Sequence, residues 1–220
     1  SSGSTTLNGY TTAAKYTMGW GSSATFSHGG GTVIFVYAGT QLFDSASNVA
    51  RTLNNVQLNN AALVLRHADG TGFNLTVAGT FTATLGQFIS ADITSGTSRN
   101  LTVTGTSSIT GTCTPGATST MTFNGAITVN AGGTLGGNSA YILDLNADLN
   151  TSAGTLSCPN ASGTFTFSGA TWNSPTTLTT NSGTVQFDRV GAKATMLGND
   201  STQFNAVTVA ADTILNTSAA

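Results

Sequence analysis

The sequence predicts an all-β chain wound as a parallel β-solenoid, with short strands joined by Gly and Asn turns. Three observations point there. Charged residues make up only 6% of the 220 residues, against about 25% in typical globular proteins. All eight acids are Asp, and Lys occurs only at positions 15 and 193. The best solvent-facing helix formers are therefore scarce, while the abundant Thr and Val favour a pleated surface. The second observation is a recurring strand: Asn55-Val-Gln-Leu58, Asn74-Leu-Thr-Val77, Asn100-Leu-Thr-Val103, Gly125-Ala-Ile-Thr-Val129 and Asn205-Ala-Val-Thr-Val209. Through the middle of the chain its copies fall about 19 to 26 residues apart, room for one solenoid coil of two or three strands. The third is a longer stretch written twice, residues 20–65 and 172–216. Trp20 there matches Trp172, Val33 matches Val185, Phe35 matches Phe187 and Gly39 matches Gly191. Tandem β-sandwiches are the alternative, but their turns recur every 8–12 residues or so, and no duplication near residue 110 halves the chain.

Taken in order, residues 1–18 form a polar arm with only Leu7, Tyr10, Tyr16 and Met18 to bury, and residues 19–220 form one elongated β domain. Val33-Ile-Phe-Val-Tyr37, bounded by glycines, reads as the first strand of that domain. Ser45 to Leu53 is the only stretch with a helical spacing of apolar residues, and it is too short for more than a turn. Further strands are expected at Phe81–Leu85, Ser119–Phe123 and Thr164–Phe167. Tyr141 to Asn150 alternates most cleanly, placing Leu143, Leu145, Ala147 and Leu149 on a core face and Asp144, Asn146, Asp148 and Asn150 on a wet one.

Little of the chain carries chemistry. A net charge of −2 with no basic cluster gives no electrostatic basis for binding nucleic acid or an anionic membrane. No apolar run reaches the roughly 20 residues that span a bilayer. The Asp144-x-Asn146-x-Asp148-x-Asn150 row starts like a calcium loop, but Leu149 stands where the loop needs Gly, and there is no Glu to close it. His28 and His67 are the only imidazoles and have no second ligand cluster for zinc. Cys113 and Cys158 sit in similar turn-like surroundings, as a disulfide in an oxidising compartment or as two small residues. Asn74, Asn100, Asn150, Asn160, Asn199 and Asn216 head glycosylation sequons, in a number that this Ser- and Thr-rich composition produces by chance. Trp20 and Trp172 read as apolar anchors closing the core, with a carbohydrate-stacking platform as the other reading.

Gly183-Thr-Val-Gln-Phe187, Gly191 and Phe204-Asn-Ala-Val-Thr-Val209, read together, resemble the Thr/Gly/Asn-rich repeats of large bacterial cell-surface and autotransporter-like adhesins. The resemblance covers about 45 residues at each end and only loosely the middle. It implies a surface-exposed, elongated, non-catalytic protein and carries over no functional residue. The expected function is thus a non-enzymatic extracellular structural protein, a self-associating surface filament subunit or an adhesin stalk module. Its expected partners are copies of itself, head to tail, with surface glycans second and no cofactor. The alternative is a β-helix that binds or degrades polysaccharide, such as a phage tail spike. The chain opens Ser1-Ser-Gly-Ser without Met or a signal-like segment, which reads as a processed chain or a piece of a longer one.

Overall fold

The structure is a computed structural model, and it describes residues 3–7, 16–20, 30–45, 50–67, 74–92, 97–151, 153–173, 177–198 and 203–219. Among these residues the chain is all-β and winds as a parallel β-solenoid of about seven turns. Its strands form three sheets of ten, eight and eight strands, here called A, B and C. One turn runs, for example, from Ser107–Ile109 in sheet A to Thr112–Pro115 in sheet B and Thr120–Phe123 in sheet C. The next strand, Ile127–Val129, returns to sheet A beside Ser107–Ile109. Among the described residues no two strands consecutive in sequence pair with each other, and the paired strands run parallel. A sandwich would need antiparallel neighbours, so that alternative is excluded.

The two-residue period of the strands does the sorting. Within each coil every second residue points inward, and parallel in-register pairing stacks it on its counterpart one rung away, about 4.8 Å along the axis. Val33, Val56, Phe81, Ser107, Ile127, Leu149, Trp172 and Met196 form one such column in sheet A, with steps of 20 to 26 residues. Leu65, Phe88, Cys113, Leu135, Leu156 and Leu178 form one in sheet B. Leu53, Val77, Val103, Phe123, Leu145, Phe167 and Phe187 form one in sheet C. Most of these side chains are fully buried in one continuous core. The outward column of sheet C reads Thr76, Thr102, Thr122, Asp144 and Thr166. Threonine thus dominates this outer surface because its β-branched side chain suits an exposed pleat without adding charge.

The corner from sheet C to sheet A shows why glycine recurs. A Cβ on Gly125 would lie 2.3 Å from the Gly105 carbonyl oxygen, and one on Gly105 would lie 2.5 Å from that of Gly79. Backbone stacks directly on backbone there, leaving no room for a side chain.

Several sequence expectations need correction. Tyr141–Asn150 is not one strand: Ile142–Leu145 lies in sheet C and Leu149–Asn150 in sheet A. Asn146, Ala147 and Asp148 turn the corner between them, so Ala147 is only half-buried, although Leu143, Leu145 and Leu149 are buried as the alternation requires. The two copies of the long repeat occupy different faces. Thr32–Phe35 belongs to sheet A and Thr184–Phe187 to sheet C, while Trp20 lies in sheet B and Trp172 in sheet A. What the copies share is a one-coil step on a single face, Val33 to Val56 and Val185 to Val207. The faces are similar enough that one strand signature serves any of them. Residues 4–7 and 16–20 join sheets A and B, so the proposed arm boundary at residue 18 falls inside the strand Tyr16–Trp20. Of the stretch from Ser45 to Leu53 suggested as a helical turn, Ser45 ends the strand Thr40–Ser45, Arg51–Leu53 is a strand of sheet C, and residues 46–49 lie outside the described residues.

Candidate functional site

The repeat anchors are core residues where their side chains are described. Val33, Phe35, Val185 and Phe187 are buried. Trp172 is fully buried, its ring 5.1 to 5.7 Å from those of Phe165, Phe167, Phe187 and Phe204. No ring face is left for a sugar to stack on, which removes Trp172 as a carbohydrate platform. Trp20 ends the strand Tyr16–Trp20.

The candidate reactive groups are also built into the fold. Cys113 and Cys158 are both free and buried, so the disulfide reading fails. Cys113 pairs across to Leu135, which pairs with Leu156, two residues before Cys158. Two rungs at about 4.8 Å each exceed the roughly 7 Å that bridged Cα atoms allow. Burial pushes both thiols up to about 12, so neither is a thiolate nucleophile at neutral pH. The Cys113 thiol instead points at the Met121 sulfur, 3.8 Å away. His67 is buried in sheet B against Phe88, with ring centroids 6.1 Å apart. His28 lies outside the described residues.

The acidic row serves the corners. Asp148 Oδ1 accepts the backbone N–H groups of Ala170 and Thr171 on the next coil, each at 2.9 Å. Asn146 Nδ2 donates to Asn124 Oδ1 on the preceding coil at 3.0 Å. Asp188 accepts a hydrogen bond from the Ser168 hydroxyl. These bonds hold stacked turns together and do not converge on a point where a cation could sit.

Among the sequons, Asn74 and Asn100 are exposed, and their Oδ1 atoms accept the N–H of Asn100 and of Thr120 on following coils. Asn150 and Asn216 are exposed, and Asn160 is half-buried. Asn199 lies outside the described residues.

One cleft opens on the corner from sheet B to sheet C. It is lined by Asn138, Asn160, Ala161, Ser162, Asn181 and Ser182, with a volume of about 390 Å³. The turns that supply it follow the sheet B strands Thr134–Gly136, Thr155–Ser157 and Thr177–Thr179. They are consecutive coils: the Asn160 N–H donates to the Ser139 carbonyl at 3.0 Å, and Asn181 Nδ2 donates to the Cys158 carbonyl at 2.9 Å. Asn181 Nδ2 also donates to Ser157 Oγ at 2.7 Å, and Asn160 Oδ1 accepts the Ser162 N–H at 3.0 Å. Beneath this corner, the buried Tyr141 hydroxyl donates to the Ser157 carbonyl and accepts from the Gly137 N–H. Burial raises the Tyr141 pKa well above the usual phenol range, so this strut stays protonated.

Sequence reasoning singled out Asn160 only as a sequon and did not find the cleft. The available signal was the recurrence of Asn138, Asn160 and Asn181 at the coil step, each in a Gly- or Pro-containing turn. No family model matches the chain, and neither the curated proteins nor the solved structures contain a match to it.

Proposed function

We propose that the chain is a non-enzymatic structural module of an extracellular surface protein, a stalk or filament element that extends by stacking head to tail with copies of itself. One observation carries this reading. Val185 and Phe187 are covered by the coil that follows them, whereas Val207 and Val209, next in the same inward columns, are 45% and 44% exposed. Their strand, Ala206–Val209, is the outermost of sheet C, and Ile214–Ala219 is the outermost of sheet A. An open strand edge flanked by apolar side chains is a template for another strand of the same spacing. A second solenoid coil matches it in both cross-section and hydrogen-bond pitch.

At the opposite end Ser4–Leu7, Tyr16–Trp20 and Arg51–Leu53 are the outermost strands of sheets A, B and C among the described residues. The two ends are different surfaces, so their contact is heterologous and grows into a filament unless its rotation closes a ring. A net charge of −2 supplies little repulsion between copies. Structural duty for Asp148, Asp188 and the two thiols supports the non-catalytic half of the reading.

The test compares the chain with its Val207→Lys/Val209→Lys variant by light scattering across a dilution series. The reading expects mass to grow with concentration for the parent and to stay at one chain for the variant, with the same circular dichroism. A parent that is a monomer at every concentration overturns head-to-tail association and leaves the same edge to be covered by further coils of a longer chain.

A further inference from the structure

We infer that the cleft formed by Asn138, Asn160, Ser162, Asn181 and Ser182 is a binding site for a neutral saccharide chain. Its volume of about 390 Å³ falls within the range of small-molecule sites, about 300–1,000 Å³. Its chemistry is unusually uniform: the lining consists of carboxamides, hydroxyls and one methyl group, with no charged side chain and no aromatic ring. A phosphate, sulfate or carboxylate ligand would meet no cation there, and an apolar ligand would find only Ala161. A carboxamide offers donors and an acceptor side by side, and a hydroxyl offers both. That pairing suits the vicinal hydroxyls of a sugar, each of which donates and accepts.

The polar groups are also held in place. The bonds from Asn181 Nδ2 to Ser157 Oγ and the Cys158 carbonyl fix its side chain and leave Oδ1 as an acceptor. The bond from the Ser162 N–H fixes Asn160 through Oδ1 and leaves Nδ2 as a donor. Asn138 is exposed beside them. Because the three turns belong to consecutive coils, their carboxamides step along the solenoid axis by about 4.8 Å per rung, close to the length of one pyranose ring. An extended glycan lying along the axis would place successive rings against successive coils.

The backbone at the rim supports a selected polar surface. Asn181 and Ser182 have φ of 45° and 63°, the only two consecutive non-glycine residues in the left-handed region among the described residues. Glycine would adopt this conformation at no steric cost, yet this turn carries an amide and a hydroxyl there.

The site is complete within one chain and does not depend on end-to-end stacking. An open rim predicts weak binding, with a dissociation constant on the order of 1 mM.

The experiment follows amide chemical shifts of the isotope-labelled chain, titrated separately with short oligosaccharides of glucose, mannose, galactose and N-acetylglucosamine. Oligogalacturonate serves as the anionic comparison. The expected result is saturable shifts confined to residues 138, 160–162 and 181–182 with at least one neutral oligosaccharide. Asn138→Ala combined with Ser182→Gly should weaken that binding at least about tenfold without lowering the melting temperature. Should the pair of changes disturb folding, Asn138→Ala alone reads the same effect, since that exposed side chain holds nothing in the fold. Absence of saturable shifts with all four neutral series, equal binding by the variants, or preference for the anionic series overturns the proposal.

Discussion

Replacing Trp172 tests how the core carries the solenoid. The indole fills the interior between Phe165, Phe167, Phe187 and Phe204, with centroid distances of 5.1, 5.6, 5.7 and 5.4 Å. Trp172→Ala removes the largest fully buried side chain among the described residues and leaves a cavity that stacked, hydrogen-bonded strands cannot collapse. The expected cost is about 3–5 kcal/mol, a large part of the roughly 5–15 kcal/mol of a typical domain. Trp172→Phe should behave differently. The indole Nε1 has no hydrogen-bond partner among the described residues, so phenylalanine loses volume but no polar contact there, and it removes a buried unsatisfied donor that costs about 1–3 kcal/mol. A net change of about 1 kcal/mol or less follows. Coils touch only their neighbours, so the damage in the alanine variant should be local. Urea unfolding gives the magnitudes, and amide hydrogen exchange gives the location. Protection should fall between residues 164 and 198 and persist between 101 and 136. Equal costs for alanine and phenylalanine, or a uniform loss of protection, would refute the reasoning.

Other outcomes follow from the same geometry. Leu145→Asp should cost several kcal/mol, because it buries an unpaired charge in the sheet C column, whereas Asp144→Leu on the outward face should be tolerated; reversed melting temperatures would show that the faces are misassigned. Gly125→Ala brings a Cβ within 2.3 Å of the Gly105 carbonyl and should cost about 1–3 kcal/mol. Gly137→Ala, whose nearest neighbour is the Thr114 methyl at 3.2 Å, should cost clearly less, and equal thermal shifts would count against backbone stacking as the cause. Both thiols have pKa values raised from 9.0 to about 12. The stability this burial represents is fully present below about pH 9 and is lost as pH rises toward 12. The urea midpoint should therefore fall above pH 9, and alkylation at pH 8 should label Cys113 and Cys158 only after unfolding. Rapid labelling of the folded chain, or a linked pair by intact mass, would contradict their placement.

The sequence disclosed the strand class and the coil step because both rest on local patterning. Apolar–Thr–apolar triplets such as Leu101-Thr-Val103 can bury only one face, and their spacing of roughly one coil is arithmetic on the chain. It did not disclose which sheet each triplet enters. Turn length and packing set that, and the alternation from Leu143 to Leu149 runs through the corner at Asn146–Asp148 without a break in phase. The near-identity of Gly31–Phe35 and Gly183–Phe187 invited one face for both, but the three faces accept the same signature. Cys113 and Cys158 looked alike as turn residues, while only the ladder shows one inside a sheet B column and the other on a corner two coils away. The cleft was hidden for a related reason. Asn138, Asn160 and Asn181 become neighbours only when coils stack, and a chain with this much Asn gives no compositional reason to group them.

Electron cryomicroscopy of the chain at concentrations where scattering grows tests the structural reading most directly. The account predicts unbranched rods of constant width, with strands perpendicular to the rod axis and an axial repeat of about 4.8 Å continuing across the joint between chains. Discrete particles one chain long at every concentration, or chains joined side by side with the Ala206–Val209 edge left open, would contradict it.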